Sequence, residues 1–417
     1  MLFGADDNLD KCVDKILDKL GSVSRVQPMR DYEESHPWIT FKATDVNNLP
    51  PRTWMLLGEA RAICEQISST PLLPTVAQDL NEVALIKGAQ ATTAIEGNTL
   101  NEDQVAGIYR GTYTAPPSRA YQQREVCNVL DALTDIDQST ARGTLGPVTA
   151  DLICGYNRGV LDGIEHTADV RPGEFRHHSV MVGNYRGAPA QDCRYLTKQL
   201  AAWLESDIFS SNDPETDFAL TVAQAVYAHL YIAWIHPFGD GNGRTARLLE
   251  FMLLARSGQV PLLAAHLLSN HYNLTRDRYY RELEGASQSG STGSFVSYAA
   301  QGLVDGLREQ INVVRVQQLA VSWTNYVNET MDRFPTSKAS DRQRSLVLAM
   351  PSSTAVPQDG LIRLTPDLAS LYALTGPRTL SRDLNRLLAA GLILREGRKW
   401  KANTDVMFTF MPPAAPS

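Results

Sequence analysis

A chain of 417 residues, 43% hydrophobic and 20% charged, is too long for one ordinary core and too apolar to be disordered, so two or three packed units are expected. A net charge of −7 argues against a protein that coats nucleic acid wholesale. The five cysteines (Cys12, Cys64, Cys127, Cys154 and Cys193) are scattered without a C-x-x-C pair, which supports neither a zinc ribbon nor a disulfide framework and fits reduced thiols in a cytoplasm.

The N-terminus, MLFGADDNLDK, has no basic region followed by an apolar run, so no secretory signal is expected. Residues 1–48 form an extension without a readable pattern, and Leu49-Pro-Pro51 marks entry to the first helix. Apolar residues at three- and four-residue intervals predict amphipathic helices over Thr53–Ile67 and Thr75–Ile95. The same pattern covers Ala120–Ile136, Thr149–Leu161, Cys193–Leu204 and Phe218–Ile235, and Cys127 and Cys154 fall on it as ordinary buried residues. Residues 171–190 differ: Val180-Met-Val182, a Gly-Asn pair and a second polar run predict a short β-hairpin. So small a hairpin must lie on the helical body, and its outer edge would offer unpaired backbone groups to an extended peptide. The apolar stretch Leu248–Leu268 is broken by Glu250, Arg256, Ser257, Gly258, Gln259 and Pro261, which predicts two buried helices and a turn rather than a membrane span. From about Asp341 the texture changes. Helices are predicted at Pro366–Tyr372 and Thr379–Ala390 around the Gly376-Pro377 turn, followed by a two-stranded wing through Leu392–Lys401, the pattern of a winged helix. No internal repeat of solenoid period occurs. The expected organisation is an extension (1–48), a helical region (49–140), a central core (141–310) and a winged-helix unit (335–410).

The chemistry-bearing stretch is His236-Pro-Phe-Gly-Asp-Gly-Asn-Gly-Arg-Thr-Ala-Arg247. Gly241 and Gly243 flank Asn242, so the backbone is free to take left-handed conformations and to gather N–H groups into an anion-binding nest. An apolar helical pattern begins directly afterwards, which places that nest at a helix N-terminus. Arg244 and Arg247, three residues apart, can clamp phosphate oxygens. Asp240 offers a hard oxygen to Mg²⁺, which characteristically uses one or two carboxylates and completes its shell with phosphate and water. His236 titrates near neutrality and can take a proton from an attacking hydroxyl, and Phe238 anchors the loop in the core. A histidine after an apolar helix is commonly structural, and GDGNGR alone can be a tight turn. It is the coincidence of base, metal ligand, nest and two arginines that points to chemistry, with no Walker, dinucleotide or H-E-x-x-H motif to compete.

Position by position the stretch resembles the H-x-F-x-[DE]-G-N-G-R-x-x-R signature of the Fic (filamentation induced by cAMP) family. The resemblance, extending from about Leu49 to Leu307, implies a mainly α fold: a helical core with a β-hairpin flap, here followed by a small α+β winged helix. It implies transfer of AMP from ATP-Mg²⁺ to a Ser, Thr or Tyr hydroxyl of a protein target or of the chain itself. His236 would be general base and Asp240 the Mg²⁺ ligand. Gly241, Asn242 and Gly243 would hold the phosphates, and Arg244 and Arg247 their β–γ region. The stretch GEFRHHSVMVG is similar to the family's G-x-F-R-x-x-x-V-x-V-G flap pattern, which puts Val180, Met181, Val182 and Gly183 along the nucleotide and target groove, with the target docked on the 175–186 hairpin. Tyr279 and Tyr280 resemble a tyrosine pair near the adenine, with core packing as the competing reading, and Ser287 stands where relatives often carry Asn. Thr92-Thr-Ala-Ile-Glu96-Gly-Asn98 resembles the family's [ST]-x-x-x-E-[GN] inhibitory motif; an inhibitory helix at 92–98 would pair Glu96 with Arg247 and misalign ATP. Related enzymes often pair, so a homodimer is compatible with the resemblance.

Two other outcomes stay open in the sequence. Some relatives remove AMP instead of adding it. The basic residues Arg378, Arg382, Arg386, Arg395, Arg398, Lys399 and Lys401 would alternatively make the region 366–401 a DNA-binding element, although Asp383 and Glu396 interrupt them. A cytoplasmic protein with no membrane association is expected.

Overall fold

The protein was analysed as a computed structural model that describes residues 30–42, 48–183, 185–376 and 378–408. The expected extension therefore falls largely outside the described residues, as do Cys12 and Pro377. The chain is mainly helical and divides into two compact units: residues 1–68 with 78–307, and residues 69–77 with 308–417.

The first unit contains the short helix α1 (Asp31–Ser35), most of α2 (Pro51–Ser69) and α3 (Pro74–Ala94), then α4 (Glu102–Tyr109), α5 (Ala120–Arg142) and α6 (Ala150–Val160). After the β-hairpin β1 (Met181–Val182) and β2 (Tyr185–Arg186) come α7 (Cys193–Leu204), α8 (Pro214–Ile235), α9 (Asn242–Arg256), α10 (Leu262–Ala265), α11 (Leu267–Leu274) and α12 (Arg276–Ser289). The first part of α13 (Gly293–Met331), through Leu307, completes the unit. The helix starts follow capping chemistry. Asp213 caps α8 by accepting from the Thr216 amide at 2.9 Å, ahead of Pro214 in the first turn, and Thr149 does the same for α6 from the Leu152 amide at 3.0 Å.

Helices α8 and α9 form the centre of the unit and are buried around almost their whole circumference, α8 being largely apolar and α9 burying Arg244, Arg247 and Glu250 among its apolar residues. By length and composition alone α8 would suit a membrane span, but 83% of that window is buried inside the protein. Leu248–Leu268 resolves into the second half of α9, a turn, the one-turn helix α10 and the start of α11.

The hairpin is shorter than its pattern suggests. Only Met181↔Arg186 and Val182↔Tyr185 pair, and Val180 lies outside the strand, its carbonyl accepting from the Gly187 amide at 3.2 Å. It rests on the helical body through Tyr185, whose hydroxyl donates to the Trp234 carbonyl at 2.8 Å. On its other side His36 lies 2.9 Å (Nε2) from the Arg186 carbonyl oxygen and packs edge-on against Tyr185.

The second unit holds the end of α13, then α14 (Lys338–Ala349), α15 (Gln358–Leu361), α16 (Pro366–Ala373) and α17 (Thr379–Ala389). Its antiparallel sheet of β3 (Val356–Pro357), β4 (Ile393–Glu396) and β5 (Lys399–Ala402) runs in the order β3-β5-β4. The wing thus has a third strand that the sequence did not suggest. Leu346, Leu361, Leu368, Leu384, Leu387 and Trp400 belong to one buried cluster. Several expected surface cations are engaged inside this unit: Arg386 stacks over Phe334, Arg395 over Trp400, and Lys401 pairs with Glu396 at 2.8 Å. Arg378, Arg382, Arg398 and Lys399 are exposed.

Asp383, read from sequence as a charge interrupting a basic face, is instead a buried hub with 3% exposure. It accepts from Arg342 Nε at 2.8 Å, Gln343 Nε2 at 2.6 Å and the Tyr372 hydroxyl at 2.9 Å, which ties α14, α16 and α17 together. Removing one member of a buried, hydrogen-bonded ion pair strands the other, at a cost of about 3 kcal/mol. Asp383→Ala is therefore expected to lower amide protection in α17 by about two orders of magnitude in hydrogen exchange, with α8 and α9 unaffected; unchanged protection in α17 would contradict the assignment.

Candidate active site

The site begins where α8 stops. Pro237 lacks the N–H that another turn would need, and the chain turns at His236, whose φ of 49° is left-handed. Among the described residues only Phe41 and His236 are non-glycine residues with positive φ. The expectation from sequence put such backbone at Gly241 and Gly243. It holds for Gly241, at φ 76°, but Gly243 is an ordinary residue in the first turn of α9. A side chain costs roughly 1–2 kcal/mol in the left-handed region, so contacts elsewhere must hold His236 there.

The loop between α8 and α9 is fixed by its own side chains. Phe238 is buried with its ring stacked on Phe175, centroids 5.8 Å apart. The Asn242 side chain accepts from the Phe238 amide at 2.9 Å and donates to the Phe238 carbonyl at 2.8 Å, folding the loop back onto the start of α9. Its amide group is thereby committed to shaping the loop, whatever its backbone binds. Asn157 of α6, which the sequence reading missed, donates to the Asp240 carbonyl at 2.9 Å and accepts from the Gly173 amide at 2.9 Å, which joins the loop to the segment before the hairpin. Gly241 has no room for a side chain: a Cβ would lie 3.0 Å from Asn157 Nδ2 and 3.1 Å from Leu161 Cδ2.

A cavity of about 490 Å³ opens on this loop. It brings together Glu96, His236, Gly243 and Arg247 with Val182 and Gly183 of the hairpin and Tyr279 and Tyr280 of α12. Val180 and Met181 do not line it. Val180 packs toward Gly187, and Met181, on the outward side of β1, is 61% exposed. Tyr185, His229, Ala233, Trp234, Ala246, Leu283 and Glu284 complete the wall without having been foreseen.

The expected Glu96–Arg247 pairing is present: Arg247 Nη2 lies 2.6 Å from Glu96 Oε1 and also donates to the Thr92 carbonyl at 2.9 Å. The motif is not helical throughout, because α3 ends at Ala94 and Glu96 sits in the turn that follows, with Gly97 at φ 98°. That turn lays the Glu96 carboxylate directly over Gly243, where a Cβ would collide with Oε1, so the carboxylate occupies the N-terminal turn of α9. Burial by itself would raise the Glu96 pKa. The charge and hydrogen bond of Arg247, helped by Arg244 and His236, outweigh it and hold the group below the usual glutamate range. Arg247 is 1% exposed, and Glu96 likewise overturns the effect of burial and holds its pKa raised. The Arg247 Nε and Nη1 atoms are buried without a hydrogen-bond partner among the described residues.

Arg244 turns elsewhere, to Glu125 of α5 at 3.0 Å and to Asp240 at 3.4 Å. Only i, i+4 spacing made the second partner visible in sequence; Glu125 is distant in the chain. Asp240 is half exposed, with Oδ1 accepting from the Gly241 amide at 2.5 Å and Oδ2 lying 4.0 Å from His166. One accessible carboxylate at the foot of an anion-binding helix end fits Mg²⁺ brought in with phosphates. Among the described residues no cluster of three or more His, Cys, Asp or Glu side chains forms a self-sufficient metal site.

The two tyrosines separate. Tyr279 is 3% exposed and bonds through its hydroxyl to His229 Nε2 at 2.8 Å, so it is packed in the core and also lines the cavity. Tyr280 is partly exposed and donates to the Ile95 carbonyl at 3.4 Å, beside the Glu96 turn. Ser287 is buried and bonded to the Glu284 carbonyl.

A histidine on a left-handed helix cap, a helix start beside it, a buried arginine and a hairpin thus meet at one opening on a helical core. Residues 147–254 match the Fic/DOC family. It is 29% identical over 224 residues to "Protein adenylyltransferase fic-1" of Caenorhabditis elegans, covering 54% of this chain and 41% of that one. It is 31% identical over 209 residues to "Protein adenylyltransferase Fic" of Drosophila persimilis, covering 50% and 37%. The chain thus spans about two fifths of the length of these curated relatives. Among solved structures, Fic-1 (residues 134–508) of C. elegans matches at TM-score 0.51 and 25% identity over 63% of this chain and 73% of that one. A Fic family protein of Desulfovibrio desulfuricans G20 shares the fold at TM-score 0.51 and 20% identity over 85% and 96%.

His236 has the electrostatics of a base. Burial in the pocket pushes its pKa down to about 4, with the Arg176 charge adding to that effect and Glu96, Asp240 and the contact with the Ala233 carbonyl opposing it. The imidazole is therefore neutral at pH 7. The Ala233 carbonyl, 3.4 Å from Nδ1, can only accept, so it keeps the proton on Nδ1 and leaves Nε2 free to take one. Because the folded value lies below the unfolded value of about 6.5, His236 costs no stability above that pH and costs progressively more as pH falls toward 4. An NMR titration of the His236 ring in nucleotide-free protein should give a midpoint well below 6; one at 6.5 or above would contradict this electrostatic account.

Proposed function

We propose that the protein transfers AMP from ATP-Mg²⁺ to a hydroxyl side chain, on a target protein or on itself, and that Glu96 holds this activity off. The carrying observation is the single cavity in which His236, the N-terminal turn of α9 with Arg247, and Val182 and Gly183 of the hairpin all face one another. Relatives named protein adenylyltransferases support the same reading.

In this reading the phosphates of ATP lie on the N-terminal turn of α9, where backbone N–H groups and the helix dipole favour negative charge. Arg247 neutralises the outer phosphates, and Arg244, steadied by Glu125, supports Asp240. Asp240 would hold Mg²⁺, which supplies neutralisation of phosphate charge. Tyr279 and Tyr280 form the wall available to the base of the nucleotide. The target hydroxyl gives its proton to His236 Nε2 while its oxygen forms a bond to the α-phosphorus. The bond from that phosphorus to the bridging oxygen breaks, and pyrophosphate leaves. Positioning and charge neutralisation carry most of the rate. The target segment adds as a strand to the hairpin, where Met181 and Val182 are exposed.

Glu96 inhibits by occupying the phosphate site itself. Its carboxylate sits on the first turn of α9 and satisfies Arg247, so ATP can enter only with its outer phosphates displaced. Deleting the carboxylate leaves a buried arginine that needs an anion, and a phosphate supplies one. Intact-mass spectrometry after incubation with ATP-Mg²⁺ tests both parts. Glu96→Gly should gain AMP adducts on the order of tenfold faster than the parent chain, and adding His236→Ala should slow that by about 10²–10⁴-fold. No adduct in Glu96→Gly would overturn the proposed reaction, and equal rates in parent and Glu96→Gly would overturn the inhibition.

A further inference from the structure

Arg176, in the segment leading into the hairpin, is a cation with 3% exposure and, among the described residues, no carboxylate bonded to it. A buried guanidinium normally requires an anion. Here every hydrogen bond its side chain makes among the described residues goes to backbone carbonyls, and these come from two places. Nε donates to the His236 carbonyl at 2.7 Å and Nη2 to that of Ile235 at 3.4 Å, on the cap of α8. Nη1 donates to the His178 carbonyl at 2.6 Å and Nη2 also to that of Ala188, at the two roots of the hairpin. Its own backbone amide donates to the Pro237 carbonyl at 3.0 Å. The planar fork thus satisfies carbonyls that the end of a helix leaves without amide partners, and does so where the backbone is left-handed.

We infer that Arg176 is the positioning residue of this site: it holds His236 in its left-handed conformation and fixes the hairpin to that histidine, so that base and target strand keep one geometry. The inference rests on the adenylylation reading for what the geometry accomplishes, but the contacts stand without it. Gly187 supplies a second, independent observation. A Cβ there would come within 2.9 Å of His236 Cβ, 3.0 Å of Arg176 Nη2 and 3.2 Å of Val180 Cγ2, so the returning limb of the hairpin lies tight on both residues. The carbonyls remove the need for an acid, and the uncancelled charge favours the neutral imidazole. Burial does most to keep the ring neutral; of the charged groups acting on His236, Arg176 from the hairpin segment adds to that effect, while Glu96 from the turn after α3 and Asp240 from its own loop oppose it.

The test uses the full chain with Glu96→Gly as parent and adds Arg176→Lys, Arg176→Met or Gly187→Ala. Lysine keeps the charge but has no fork; methionine removes both; alanine at 187 leaves the guanidinium in place and pushes the hairpin off it. ATP binding by calorimetry should stay within about threefold of the parent in all three, while the rate of AMP incorporation falls by about tenfold to a hundredfold, as expected for a misplacement near 1 Å. In nucleotide-free protein the NMR titration of His236 should move to higher pH in Arg176→Met and stay near the parent value in Arg176→Lys. Incorporation within twofold of the parent in a folded Arg176→Lys chain that binds ATP overturns the inference, as does an unmoved midpoint in Arg176→Met. If Arg176→Met does not fold, Arg176→Lys and Gly187→Ala decide the matter by rate. If the parent forms no AMP adduct, the adenylylation reading fails and the His236 titration still decides the role of Arg176.

Discussion

Arg247 is a cation almost fully removed from water, and its charge is met mainly by an anion, where that of Arg176 is met by backbone carbonyls. In this protein the anion is Glu96, a residue far away in the chain. The rest of the site can be read from that pairing. Helix α3 must stop at Ala94 so that the turn after it can lay the carboxylate on the first turn of α9. A side chain at position 243 would displace the carboxylate from where it lies. In the proposed reading, ATP answers the same need with a phosphate. Inhibitor and substrate then compete for one buried positive charge, and whichever is present completes the electrostatics of the pocket.

A second constraint sits a few residues upstream. The helix carrying His236 has to end abruptly, and Pro237 makes it do so, but proline alone does not place the histidine. The backbone there is left-handed, and the freed carbonyls need donors. Arg176 supplies them from a segment whose other duty is to launch the hairpin. The same guanidinium therefore faces the base and the flap at once. This coupling explains why a hairpin with only two paired positions can keep a fixed place over the cavity: its stability comes from its roots and from Tyr185 on the Trp234 carbonyl, and a two-stranded ribbon alone would not persist.

The second unit follows the same physical pattern with different chemistry. Asp383 gathers an arginine, a glutamine and a tyrosine from neighbouring helices, and the surrounding apolar cluster buries the assembly. Viewed only as a run of charges, this helix suggested a basic surface broken by an acid. In the folded unit the acid is the keystone of the interior, and several of the cations stack on aromatic rings or pair locally.

The sequence by itself determined what depends on spacing along one helix or loop. The three- and four-residue apolar periods located the helices of the core, and the twelve residues from His236 to Arg247 located His236, Asp240, the start of α9 and Arg247 as one group, because neighbours in a tight loop are neighbours in space. The tie from Glu96 to Arg247 also came from sequence, though by resemblance rather than by spacing. Tertiary structure alone decided which cation is neutralised by which acid, that Arg244 pairs with Glu125, and that Asn157 and Arg176 brace the loop. It also decided that the left-handed strain falls on His236 rather than Gly243. Each of those outcomes joins segments tens to more than a hundred residues apart, and no periodicity in the chain encodes such a pairing; it is settled when burial strips water from charges and carbonyls and leaves each to find the nearest partner.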